Sequence, residues 1–211
     1  MGRCVGCGDC VARLVALRNM RAGDEITTGY NPSPELEDAM WPLEVTFDGG
    51  ARDSDAGPVA GAGACLWRHQ VLGGPPRLVA AAVIAIPWGA SAQLAEAFGC
   101  RAALELLWRY GGGIGRARVV GDNLAVVRYC AGTARLRARP QQALLEDALA
   151  NASSRGWVLD WQAVRRNLNS LADRHATRGV MWARECRIAG VRRLRTRYGA
   201  VNDGEDAPLG C

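Results

Sequence analysis

Between residues 43 and 110 the hydrophobic pattern of the chain changes period, and that change limits the fold more than any other feature. "LEVTFD" alternates apolar and polar side chains with period two. "GAGACLWRH" and "RLVAAAVIAIP" are two further runs of strand composition, with Gly73, Gly74, Pro75 and Pro76 marking the turn between them. Together they predict a three-strand meander. "SAQLAEAFGCRAALELLWRY" follows, free of proline and rich in helix formers, with Ser91 placed as its N-cap and "GGGIG" as its stop. Further on, "ARVVGDN" predicts a short strand, "LAVVRYC" a helix, "QQALLEDALANASSRG" a long helix, "WVLDWQAV" a fifth strand and "SLADRHATRGVMWARECR" a last helix. The order β-β-β-α-β-α-α-β-α makes an α/β fold, a five-stranded mixed sheet with helices on both faces.

A chain of 211 residues has room for one such domain and tails. The turn-rich, acidic stretch "NPSPELED" sets a boundary near Trp41. Residues 1–40 then form a cysteine-containing extension, expected to be poorly ordered, 41–188 the domain, and 189–211 a tail without periodicity, expected to be disordered. The longest apolar run, "LVAAAVIAIPW", is strand material broken by Pro87 and too short for a membrane span. The opening residues "MGRCVGCGDC" hold no apolar run of the signal-peptide kind. The expectation is a soluble intracellular protein, nuclear or cytoplasmic, monomeric, with free thiols and no membrane partner. Cys4, Cys7 and Cys10 are one ligand short of a tetrahedral zinc site. Every basic residue is arginine, and residues 41–190 hold 18 of them against 12 acids. A domain with this excess favours a polyanionic partner.

Four acids have two readings each. Asp48 ends the first strand and precedes Gly49 and Gly50; it is either a turn-forming aspartate or a carboxylate beside bare backbone amides that suit a phosphate and a metal. Glu96 shares a helical stripe with Cys100, Ala103 and Leu107, where a carboxylate needs a partner from elsewhere in the fold unless it reaches water at the rim. Asp122 stands where an N-cap belongs, and Asp173 stands where "SLAD" reads as a capping box. Both are equally suited to ligate a hard cation. If the first and fourth strands are neighbours, all four carboxylates converge at one edge of the sheet, where like charges need cations to stay ionised.

At these residues the sequence resembles the ribonuclease H type 1 domain, in its plant-like and retroelement variety, over about residues 43–184. "TFDGGARDSDAGPVAGAGACLW", "SAQLAEAFGCRAALELL", "VVGDNLAVV" and "VRRNLNSLADRHA" match its four motifs in order, the last through an arginine, an asparagine and then alanine-aspartate. The resemblance implies a ribonuclease H-like fold and hydrolysis of the RNA strand of RNA/DNA hybrids by a two-metal mechanism. Asp48, Glu96, Asp122 and Asp173 would be the catalytic acids holding two Mg²⁺ ions, for which Mn²⁺ substitutes, with no small-molecule cofactor. It places Gly49, Gly50, Ala51, Gln93, Asn123 and Arg166 on the nucleic acid. A catalytically silent hybrid-binding module and a retroelement or fusion remnant are the alternatives.

The chain departs from the pattern in three places. Ala92 and Gln93 stand where the family often has two asparagines; no histidine precedes the last acid; and the basic helix of bacterial members is missing, with Arg135, Arg137 and Arg139 of "ARLRARP" in its stead. His175, two residues and so about 160° around the helix from Asp173, reads as a surface residue. Val11–Tyr30 is similar to the end of a SET methyltransferase domain but lacks the cofactor-binding parts that should precede it.

Overall fold

The computed structural model describes residues 41–200 apart from 56, 71–73, 89 and 114. The expectations for residues 1–40, including Cys4, Cys7, Cys10 and the SET-like stretch, fall outside the described residues. Strands β1 (Leu43–Arg52), β2 (Val59–Arg68) and β3 (Arg77–Ile86) form the antiparallel meander. Helix α1 (Ala92–Tyr110) leads to β4 (Arg116–Gly121), which pairs parallel with β1. Helices α2 (Leu124–Cys130) and α3 (Arg139–Ser154) precede β5 (Val158–Ala163), which pairs parallel with β4. Helix α4 (Ser170–Ile188) follows, and then β6 (Arg195–Ala200). The sheet order is β5-β4-β1-β2-β3-β6.

The sixth strand corrects the sequence reading, which had five and an unstructured segment after residue 188. β6 runs antiparallel to the otherwise open edge of β3, and the ordered domain extends at least to Ala200. In "RTRYGA" the strand formers Thr196 and Tyr198 alternate with arginines, which hides the apolar face that usually announces a strand. Tertiary contacts supply the missing apolar term. The Tyr198 hydroxyl donates to Glu105 of α1, and the Arg109 guanidinium lies 4.5 Å from the Tyr198 ring.

Glycine on both layers allows the helices to lie almost directly on the sheet. Ser91 caps α1 as the sequence implies, accepting from the Leu94 amide at 3.2 Å. A Cβ on Gly99 would stand 2.4 Å from the Asp48 carbonyl oxygen, and one on Gly49 would stand 2.2 Å from the Ala95–Glu96 backbone. The end of β1 and the first turns of α1 therefore touch backbone to backbone. On the opposite face, Gly61 and Gly63 of β2 do the same for α4. The main core, from Val45, Phe47 and the alanines of β2 and β3 to Leu106 and Leu107, lies under α1 and α3. A smaller cluster of Val59, Ala85, Val180 and Ala183 lies under α4. Among the described residues no helix is long and apolar enough to cross a membrane, and Cys65, Cys100, Cys130 and Cys186 are free.

His175 is buried, not on the surface, because α4 presents it to β2, where its Cβ lies against Gly63. Burial lowers its pKa from 6.5 to about 4, helped by Arg178 and Arg174. The unfolded chain therefore binds a proton between about pH 6.5 and 4 that the folded one refuses, and stability falls as pH falls through that window. The full shift corresponds to about 3 kcal/mol. His175→Leu should flatten this part of the stability profile, measured by urea denaturation between pH 4 and 7; an unchanged acid slope would assign it to other groups. Gly99→Ala should cost about 1–3 kcal/mol in the same assay. Gly50→Ala, whose Cβ meets nothing within 4 Å, should change stability by less than about 0.5 kcal/mol.

Candidate metal centre

The strand register brings the first two acids together. β1 and β4 are parallel neighbours, as the convergence of the acids requires, and their last paired residues are Phe47 and Gly121. Asp48 and Asp122 each come one residue later, so they leave adjacent strands, about 4.8 Å apart, side by side. Gly121 is part of this arrangement, since a Cβ there would stand 2.4 Å from the Phe47 ring. Glu96 arrives from the second turn of α1 through the contact between Gly49, Gly99 and their neighbours. One carboxylate oxygen from each of Asp48, Glu96 and Asp122 lies within 4.8 Å of the other two.

Three anions in this space are strained electrostatically. Asp48 is 3% exposed and Glu96 8%. Burial, followed by the Asp122 charge, raises Asp48 to about 7, against the pull of the Gly49 amide. Burial, then Asp48 and Asp122, raises Glu96 to about 9, with a hydrogen bond from Asn123 opposing. Oε2 of Glu96 and Oδ1 of Asp122 are buried without a hydrogen-bond partner. Clustered carboxylate oxygens with unused lone pairs are the donor set of a hard divalent cation, and Mg²⁺ fits them.

Asp122 is not the cap of α2. Asn123 takes that place, its Oδ1 accepting from the amides of Ala125 at 3.1 Å and Val126 at 3.3 Å, which leaves the Asp122 carboxylate for other work. Asn123 thus serves the site by capping α2 and by bonding to Glu96.

Asp173 stands apart from the cluster of three. Ser170 is the first residue of α4 and not its cap, so the capping box does not form; Asp173 instead accepts from Arg166 at 2.5 Å. Both groups are partly open to solvent, and the Arg166 guanidinium also feels Asp48 and Asp122. Of the asparagines before the last acid, Asn169 is the structural one. It is 2% exposed, and its Nδ2 donates to the Phe47 carbonyl oxygen at 2.7 Å, tying the start of α4 to β1 beside Asp48. Sequence reading did not separate it from Asn167, because only the fold makes one buried and the other exposed.

The remaining sequence candidates surround this edge. Gln93 is exposed on α1 three residues before Glu96, and Gly50 and Ala51 are half-buried beyond Asp48. Gly49 is buried, and its missing side chain is already required by α1.

The fold matches solved structures over about two thirds of the chain. The N-terminal RNase H domain of a Mycobacterium tuberculosis protein, solved as a fusion with maltose-binding protein, is 24% identical with a TM-score of 0.55, covering 68% of this chain and 97% of that one. RNase H1 from Halobacterium salinarum is 22% identical with a TM-score of 0.53, covering 66% and 97%. LC11-RNase H1, isolated from compost and solved with an RNA/DNA hybrid, is 19% identical with a TM-score of 0.54, covering 67% and 98%. No curated protein sequence gives a significant match. A family model described as reverse transcriptase-like matches residues 56–179, from the β1–β2 turn through Asp173 into α4, and with its ribonuclease H-like fold the chain belongs to that family.

Proposed function

We propose that this protein is a metal-dependent endonuclease that hydrolyses the RNA strand of RNA/DNA hybrids. The observation that carries this reading is the trio Asp48, Glu96 and Asp122, with ligand oxygens within 4.8 Å of one another and two of those side chains holding buried, unpartnered oxygens. Hybrid as the substrate is supported by the fold shared with LC11-RNase H1, which was solved in complex with one.

Asp48, Glu96 and Asp122 would hold Mg²⁺, with Asp173 as a fourth acid once Arg166 releases it, and Mn²⁺ would substitute. Two ions bound there would supply Lewis-acid charge for activating water and for offsetting charge on the leaving 3′ oxygen. The chain's own residues orient the substrate. Gly50 has open space where a side chain would stand, and with Ala51 it offers backbone to the RNA strand near its 2′-hydroxyls. Gln93 and Asn123 border the acids on the α1 and α2 sides, and Gly49 keeps Asp48 at the surface of α1. Arg166 turns from Asp173 to a phosphate. Arg135, Arg137 and Arg139 are exposed around Leu136, which packs on the core, so the loop and the first residue of α3 present three cations from an anchored base. Water adds to phosphorus as the P–O3′ bond breaks, leaving a 5′ phosphate and a 3′ hydroxyl.

Asp48→Asn and Asp122→Asn should each lower Mg²⁺-dependent cleavage of a labelled hybrid by at least about a hundredfold. Equal cutting by wild type and both variants would remove the metal centre from the reaction, and hybrid binding without cutting would favour the silent module.

The buried acids also predict a pH dependence opposite to that of His175. Glu96 rises from 4.5 to about 9 on folding, so the metal-free folded state keeps a proton that the unfolded chain releases. Stability without metal should fall as pH rises from about 4.5 to 9, and Mg²⁺ should restore it. Denaturation in chelator and in Mg²⁺ tests this; Glu96→Gln should reduce the metal-free decline.

A further inference from the structure

The net charge of the chain is concentrated in one stretch. Residues 174–197, which run from the first turn of α4 through its link to β6 and into that strand, hold eight arginines and a single acid, Glu185, a net +7 against the +5 of the whole chain. Two of these arginines have structural partners. Arg187 donates to the carbonyls of Pro58 and Pro87, and Arg184 pairs with the exposed Asp55 at 3.3 Å. Others line one surface. Arg174, Arg178 and Trp182 are four residues apart and form a row along α4. Arg174 and Arg178 are exposed, and so is Met181 beside the row, at 61%. β6 continues the surface: Arg195 and Arg197 pair with Ala85 and Val83, and Ala85 belongs to the cluster under α4, so both arginines lie on the α4 side of the sheet. The Arg197 guanidinium is 4.7 Å from the Trp182 ring.

The row begins beside Asp173. Arg174 follows Asp173, the acid held by Arg166, and the line from Arg174 to Trp182 extends about 12 Å from there. Its second half and all of β6 lie past residue 179, where the match to the family model ends. Cations spaced along a helix with an aromatic and a thioether among them suit a phosphate backbone with unstacked bases better than a rigid duplex.

We propose that the outer surface of α4 and β6 is a second nucleic-acid contact, a track for the single strand that continues from the segment held at the metal centre. It rests on the proposed function for the premise that nucleic acid is held at the metal centre, but not on cleavage. The test is binding of labelled oligodeoxythymidine, and of a hybrid with and without a single-stranded tail, by fluorescence anisotropy in chelator, where no cleavage occurs. The triple variant Arg174→Gln, Arg178→Gln, Arg195→Gln should bind oligodeoxythymidine about tenfold more weakly and flatten the slope of log affinity against log salt by about 2. It should abolish the advantage of the tailed hybrid over the blunt one, while lysine at all three positions retains the slope. Unfolding midpoints control for loss of fold. An unchanged affinity and slope, or a wild-type protein that binds no oligonucleotide, overturns the inference. Failure of the wild type to cleave hybrid while this binding persists would count against the nuclease reading alone.

Discussion

The approach of β1 to α1 is the contact on which the site depends. Asp48 and Glu96 come from different layers, and ordinary helix-on-sheet packing, with side chains between the layers, would hold their carboxylates apart. Gly49 and Gly99 remove those side chains where the two backbones meet. The same principle acts between β1 and β4, where Gly121 makes room for the Phe47 ring and so allows the parallel pairing to run up to the residue before each aspartate. Three glycines thus position three acids, without any of the three touching a ligand through a side chain.

That arrangement opposes stability. A carboxylate taken out of water loses hydration worth several kcal/mol, and one beside two others pays in repulsion as well. In Asp48 and Glu96 the result is a proton held to about pH 7 and about pH 9. An apolar core of alanine, valine and leucine surrounds the site and tolerates the penalty because it is continuous from β1 to α3. The electrostatic strain is localised where a divalent ion would remove it.

The sequence made most of the fold legible, through period and punctuation. The glycine and proline cluster before β3, Ser91 ahead of α1 and the proline-free run to Tyr110 are local signals that the tertiary structure did not override. The acids were legible only as a set. Read singly, Asp122 is as good a cap as Asn123, and what decides between them is which side chain the strand end turns towards α2. Asn169 and Asn167 differ in nothing local either; the Phe47 carbonyl, 122 positions away, makes the distinction. His175 and β6 were misread for related reasons. Two glycines on β2 admit α4 so closely that a polar residue is enclosed, and an arginine-rich strand takes its apolar contacts from α1 and β3, not from its own pattern.

The four acids are held with different rigidity, and this bears on how a nucleic acid can enter. Asp48 and Asp122 are fixed at strand ends and Glu96 within a helix that cannot shift without separating Gly99 from Asp48. Asp173 is placed by the packing of α4 on β2 and by the buried Asn169 amide, but its carboxylate is one-third exposed and paired with an exposed arginine. An ion pair so open to water contributes little to stability, so it opens at little cost. The interior trio is therefore the rigid side of the site, while Arg166 and Asp173 form the adjustable side, where in the proposed reaction a phosphate would take the guanidinium and leave the fourth carboxylate free. Since Asp173 lies in the first turn of α4, a strand that drew Arg166 away would lie near the start of the arginine row on that helix.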